Sequence, residues 1–385
     1  MKYFLCIFFS ILINSSQISK SQQTANKKDR NDIIINLDHS DGTDNKASLL
    51  FQNPKAIILE TNSESIIGRV TGIQIFDGKI FLIDKISAKS LFVFDMDGKF
   101  IRKIGRIGRG PGEYASISDF TIDTVKKEIY TLDGAQNIMH KYSVDGAYIN
   151  SVRIADQSSF NAIQFYNGKI YAAVDQYKKN GHLLILIEPA TGKVLEGYLS
   201  TKDKKGWNRS DQYAFHNRTY GIPKYAGLFM NTIWSLDNMI TPYITVESKN
   251  FVKEAMVEEI KRDADPLSWR KIDKIRCIDV FFETEKIIFF QYMLNKRCHT
   301  CFYRKSNKTI TNSNFFVDDL VCQMPCLFQF DCIDEGGVYQ VMHMTRFEQF
   351  QDLKLLNENL EQRERLIALN EESNPVIFYY KFKDQ

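Results

Sequence analysis

The sequence has almost no charge of one sign to spare: 50 basic residues against 47 acidic ones leave a net charge of +3. These charges are spread along the chain without a basic run, so the electrostatic footprint of a nucleic-acid binder is missing. Beyond the first residues no apolar stretch is long enough to cross a bilayer, and no transmembrane segment is expected in the mature chain. Histidine is scarce. The six residues, at 39, 140, 182, 216, 299 and 343, form no H-E-x-x-H or paired motif. There is also no G-x-S-x-G elbow and no defensible Ser-His-Asp order, so a non-enzymatic protein is favoured over a catalyst. What remains is ordinary globular material: 385 residues, 44% hydrophobic and 25% charged, enough for one large repeat domain or two smaller ones.

The N-terminus has the form of a secretory signal. Lys2 precedes a short apolar run from Tyr3 to Ile13, and Ser19 and Ser21 supply small residues for cleavage, giving an expected signal peptide over residues 1–21. Residues 22–55 then read as a polar lead-in. Cys6 lies inside the apolar run behind Phe4 and Leu5, which makes it a poor acylation site. Export to the periplasm, the outer membrane or the exterior is expected, without a clear lipoprotein anchor.

The strongest internal signal is a repeat. An apolar strand closed by Asp occurs at Lys79–Asp84, Glu128–Asp133 and Lys169–Asp175, and more weakly at Thr232–Asp237. After the first three copies come a second apolar strand and a Gly turn, with Gly98, Gly146 and Gly192 spaced 48 and 46 residues apart. That period matches the roughly 40–50 residues of a propeller blade. The expected fold is therefore an all-β, six-bladed β-propeller of four-stranded antiparallel blades over residues 56–385. Three blades fall at Val70–Gly105, Ile117–Ile154 and Phe160–Leu199, a fourth is less regular, and a fifth spans Cys277–Val317. The sixth is assembled from both ends of the chain, with an N-terminal strand at Ala56–Glu60 joining the terminal Pro375–Phe382, which removes exposed sheet edges. Helical insertions are expected at about 251–263 and 346–371. In the latter, Phe347, Phe350, Leu353, Leu356, Leu360 and Ile367 form an apolar stripe that core packing would bury.

The run Gly105–Tyr114 resembles the G-x-G-P-G-E-Y signature of exported six-bladed propellers of Bacteroides-type bacteria, relatives of the NHL-repeat propellers. Ile58–Thr61 followed by Ile67-Gly68, Asn231–Trp234 with Thr241–Tyr243, and Asn374-Pro375 agree with it. The resemblance implies the fold; it implies little about activity, because most such proteins have none assigned. Some related propellers are metal-dependent lactonases or lyases with ligands in the central channel.

Several groups could carry chemistry. The Gly105–Tyr114 loop lacks the G-K-[ST] ending and links two strands, so it reads as a tight crossover and not a phosphate cradle. Arg109 in that loop is a candidate ligand contact if a ligand binds near the channel. The strand-ending Asp84, Asp133, Asp175 and Asp237 invite a Ca²⁺ reading, but Asp at such positions caps turns. No cofactor is therefore expected. Innermost strands offer mainly Gln74, Asp123, Gln164 and Asp279, too thin a ligand set to name a metal or catalytic site. The mature cysteines, at 277, 298, 301, 322, 326 and 332, fit packed thiols, one or two disulfides, or a zinc spacing. Trp207, Tyr213, His216 and Tyr220 cluster among polar residues over Trp207–Tyr225, a composition suited to a protein or carbohydrate ligand. The favoured reading is a monomeric binding or interaction module for such a ligand; the alternative is a metal-dependent lactonase- or lyase-like hydrolytic enzyme working in the channel. A purely structural envelope component is a third possibility.

Overall fold

The structure is a computed structural model and describes residues 33–42, 46–156, 158–176, 181–200, 214–237, 239–253, 255–256, 273–314, 316–322, 324–326, 330–352 and 355–383. Six antiparallel sheets form the blades of a propeller. Their innermost strands, which face the central axis, are Gly72–Phe76, Asp119–Asp123, Ser159–Tyr166, Phe215–His216, Val280–Glu283 and Cys332–Ile333. The second strands Lys79–Asp84 and Glu128–Asp133 are buried over most of their length. Sheets packed on both faces read as continuous apolar runs, which is why alternation is weak in the sequence.

The repeated Gly turn holds blades together. Gly98 has φ +86°, and a Cβ there would stand 2.3 Å from the Ile58 carbonyl oxygen. Gly192 has φ +73° and would meet the Arg153 carbonyl at 2.1 Å. In each case a turn between the two outer strands presses on the outermost strand of the preceding blade, and the Gly carbonyl accepts from that neighbour: Glu60 N donates to Gly98 O at 2.8 Å, and Ala155 N to Gly192 O at 2.9 Å. Only glycine permits both the left-handed backbone and the close approach.

Closure follows the expected plan. Phe51–Ile58 pairs antiparallel with the terminal Val376–Phe382, so the two ends of the chain share blade 6. Asn374 seals the seam: its side chain donates to the Glu60 carbonyl at 2.7 Å and the Ser65 carbonyl at 2.8 Å, and accepts from Ile67 N at 2.9 Å. Beneath it, Phe51, Phe282, Phe289, Phe330 and Tyr380 pack blade 5 against blade 6, with Phe282 and Phe289 stacked at 4.4 Å.

Three features depart from a plain six-fold disc. From Ile33 the segment read as a lead-in becomes a strap: Ile33–Asn36 adds in parallel to the outer strand Ile240–Glu247 of blade 4, Gly42 bridges to Thr311 in the outer strand of blade 5, and Lys46 bridges to Val317 just after it. It covers sheet edges that would otherwise template pairing. The fourth copy of the repeat, Thr232–Leu236, is the third strand of its blade and not the second, because the short strand Lys224–Tyr225 precedes it in the sheet. Finally, the insertion near the C-terminus holds helices α1 (Met344–Asp352) and α2 (Arg363–Ile367), whose Phe347 and Leu366 are buried with Leu356 and Leu360 against Val376 and Phe378. Of the expected stripe, Phe347, Leu356 and Leu360 are thus core, Ile367 is exposed, and the side chains of Phe350 and Leu353 lie outside the described residues. Of the first insertion, residues 254 and 257–272 lie outside the described residues. No described helix is long and apolar enough to cross a membrane.

Candidate functional site

The central channel is plugged by one arginine. Arg218, in the loop after the innermost strand of blade 4, makes a two-pronged pair with Asp119 of blade 2, with both contacts at 3.0 Å. It also donates to the Phe120 carbonyl at 2.5 Å, the Ile163 carbonyl at 2.7 Å and Gln164 Oε1 at 3.2 Å. One side chain therefore ties blades 2, 3 and 4 across the axis, and Gln74 of blade 1 adds a bond to the Phe120 carbonyl at 2.8 Å. Beside the plug is a cavity of about 60 Å³ lined by His216, Asp279, Phe281, Asp331 and Cys332 among others. Among the described residues His216 Nε2, Gln74 Oε1 and Asn217 Oδ1 are buried without a hydrogen-bond partner. Burial, with Arg218 nearby, pushes the His216 imidazole down to about 4, so it is neutral at physiological pH. A space of this size suits a few ordered waters and excludes a sugar ring or lactone. Among the described residues no three His, Cys, Asp or Glu side chains converge as an ion site.

A far larger space opens on the face that carries the loops passing from each blade to the next. A cleft of about 600 Å³ lies between blades 6 and 1, lined by Arg69, Asp331, Gln340, His343, Arg346 and Glu371 together with apolar Ile67, Val70, Met344 and Pro375. Local chemistry fixes each wall. Asp84, at the end of the second strand of blade 1, accepts from Gly68 N and Arg69 N at 2.9 Å and from Ser87 N at 2.8 Å, so it holds both the turn after its own strand and the loop that presents Arg69. The first turn of α1 is closed by Arg346 N and Phe347 N donating to the His343 carbonyl. Asp331 accepts from Val341 N at 2.7 Å. Although Asp331 is half-buried as a residue, its carboxyl sits at the cleft floor, and desolvation pushes it up to about 7 against the pull of that N–H and of Arg346. Burial, helped by the Arg69 charge, lowers the His343 imidazole. The cleft is thus lined by two guanidinium-bearing side chains, an imidazole whose burial favours its neutral form and a carboxyl whose burial favours its protonated form.

The sequence-predicted contacts are not brought together. Arg109 is exposed, in a loop whose Gly112 carbonyl accepts from Tyr142 Oη on the third strand of blade 2. In the same loop Glu113 accepts from Arg106 Nε at 2.6 Å and from the amides of Arg109 and Gly110, so the N–H groups that could cradle a phosphate are already used. Trp207 and Tyr213 lie outside the described residues. His216 is buried in the channel, while Tyr220 is half-buried in the loop that follows it. Asp84 and Asp133 are turn caps, Asp133 accepting from Gln136 N at 3.2 Å and also from Ala115 N of the incoming loop at 2.7 Å. Asp123 likewise caps its turn through Val125 N and Lys126 N. No disulfide joins the described cysteines; Cys301 is fully buried, and burial pushes the Cys298 thiol up to about 12. Sequence reasoning missed Arg218, Asp119, Arg69, Asp331, His343 and Arg346. They lie in connections and short strands of different blades, and only the closed ring makes them neighbours.

No curated protein is similar to the chain in sequence. In structure it is similar to an exported protein of Bacteroides fragilis, with 19% identity, a TM-score of 0.74 and coverage of 91% of this chain and 99% of that one. It is also similar to a member of the DUF4221 family from Bacteroides vulgatus, at 12% identity and a TM-score of 0.52 over 87% of this chain and 98% of the other. Both likenesses are likenesses of fold. Residues 32–381 match the family described as a domain of unknown function (DUF4934), and the chain belongs to that family.

Proposed function

We propose that this protein is an exported binding module whose protein or glycan ligand seats in the cleft between blades 6 and 1. The observation that carries the reading is the cleft itself: about 600 Å³ of open, polar-lined space, within the range of small-ligand sites, with several hydrogen-bonding side chains converging on it. Export draws on the Lys2–Ile13 pattern at the N-terminus and on the similarity to an exported Bacteroides protein. A hydrolytic site in the channel draws less support, since Arg218 and its partners tie the innermost strands together there and, among the described residues, no three His, Cys, Asp or Glu side chains converge as an ion site. The test is a glycan array and an envelope-protein pull-down with the mature chain, run beside Arg346→Ala and Trp207→Ala. A specific ligand lost in Arg346→Ala supports the cleft. A ligand retained there and lost in Trp207→Ala would move the site to the Trp207–Tyr225 segment.

A further inference from the structure

We infer that the cavity beside Arg218 is a water site, in which a small cluster of fixed waters bonds His216 Nε2 and Asn217 Oδ1 and joins blade 4 to blades 5 and 6 at the axis. One half of the axis is tied by side chains, since Arg218 and Gln74 bond across blades 1 to 4. On the other half the Cys332 thiol of blade 6 meets the Thr219 side chain of blade 4, a weak bond. The cavity lies there, with Asp279 of blade 5 and Asp331 of blade 6 in its wall opposite His216 and Asn217. His216 and Asn217 are each only 7% exposed, and among the described residues His216 Nε2 and Asn217 Oδ1 have no hydrogen-bond partner. Buried polar atoms are almost always bonded, to protein, to water or to an ion. Something small therefore completes these two.

The lining decides what that is. An amide oxygen only accepts, and two carboxyl-bearing residues share its wall, so an anion would face acceptors. A cation fares no better: Arg218 is part of the wall, and among the described residues no three His, Cys, Asp or Glu side chains converge on one point. Both carboxyl groups also have protein donors, Asp279 accepting from Cys277 Sγ at 3.0 Å and Asp331 from Val341 N at 2.7 Å. Water suits every group present. It donates to the Asn217 oxygen, and it donates to or accepts from the His216 ring whichever tautomer the neutral imidazole holds. The volume agrees, because one water needs about 10–15 Å³ of such space and the cavity of about 60 Å³ has room for roughly four.

The test is a high-resolution crystal structure of the mature chain, with anomalous data to identify any ion, beside water-oxygen relaxation dispersion in solution, which counts long-lived internal waters. The crystal is expected to show waters within hydrogen-bond distance of His216 Nε2 and of Asn217 Oδ1, at least one of them also bonded to blade 5 or blade 6. His216→Phe keeps the ring but removes the polar atom, and is expected to lose at least one long-lived water. His216→Gln, whose amide reaches toward the same point, is expected to retain it. Melting temperatures show that each variant is folded, and if His216→Phe is not, the crystal structure decides. A cavity without water, an ion in place of water, waters that touch blade 4 alone, or an equal water count in His216→Phe and the unaltered chain overturns the proposal. None of these outcomes touches the reading of the cleft.

Discussion

Replacing Arg218 with Met should test whether the channel plug holds the ring together. The side chains of Arg218 and Asp119 are only 15% and 9% exposed, so the pair is nearly desolvated. Removing the guanidinium would leave the Asp119 carboxylate, among the described residues, with Ile163 N as its remaining donor at 2.8 Å, and would strip the Phe120 and Ile163 carbonyls of their Arg218 bonds. Breaking a buried pair from one side costs about 3–5 kcal/mol. With an unfolding entropy of ~2.1 cal/mol/K per residue over the roughly 305 described residues, that corresponds to a drop of about 5–8 °C in melting temperature. Asp119→Asn should cost a similar amount, since it strands the cation. Arg218→Met combined with Asp119→Asn should cost less than the two added together, by roughly 2 kcal/mol or more, because the uncompensated charge is then gone. Urea unfolding of the four proteins measures the cycle. An Arg218→Met loss below about 1 kcal/mol, or strict additivity, would refute the argument that this pair is desolvated and coupled.

Three further outcomes follow from the packing. Gly192→Ala forces a Cβ to within 2.1 Å of the Arg153 carbonyl at φ +73°, and should destabilise by at least about 2 kcal/mol, read as a lower urea midpoint with an unchanged slope. Asn374→Ala removes the bonds to the Glu60 and Ser65 carbonyls and to Ile67 N; a loss of about 3 kcal/mol is expected, with proteolysis beginning near residues 60–67, and cutting that begins elsewhere would count against the seam. Asp318 is buried beside Tyr380, and desolvation pushes its carboxyl up from 3.8 to about 6. A folded-state value above the unfolded one means that the stability from this group is complete below about pH 4 and lost as pH rises through about 6. Two units at ~1.4 kcal/mol each make this roughly 3 kcal/mol, and Asp318→Asn should remove it, flattening the fall in melting temperature between pH 4 and 7.

The fold was legible because the forces that make a blade are local. Strand-ending Asp84 and Asp133 bond amides within a few residues, Asp84 with Ile86 N and Ser87 N and Asp133 with Gln136 N, and each turn glycine sits a blade length from the next. The closure was legible too, since a β-rich terminal segment needs a partner strand and Ala56–Glu60 was available. The fourth repeat misled because its sequence specifies a strand ended by Asp, while its place in the sheet depends on how many strands precede it, and Lys224–Tyr225 is too short to carry an apolar pattern. The site was not legible for a related reason. Arg218 meets Asp119 across 99 positions, and the Arg69 loop meets the His343 segment only because Phe51–Ile58 pairs with Val376–Phe382. No period or motif encodes such a meeting.

That last dependence ties the cleft to the stability of the ring. One wall comes from the loop that follows the N-terminal strand of blade 6, and the other from α1 and residues 371–375, which lead into its terminal strand. Asn374 bonds Ile67 N, beside Gly68 and Arg69, while its neighbours Ser373 and Pro375 line the same space. Opening the seam would therefore pull the two walls apart, and a ligand that spans them binds only the closed ring. Such a ligand stabilises the ring by RT ln(1 + [L]/Kd), about 2.7 kcal/mol at a hundred times Kd. Asn374→Ala, which touches no ligand in this arrangement, should then weaken binding and be partly rescued by saturating ligand, whereas Gly192→Ala, at the blade 2–blade 3 junction, should lower stability and leave affinity unchanged.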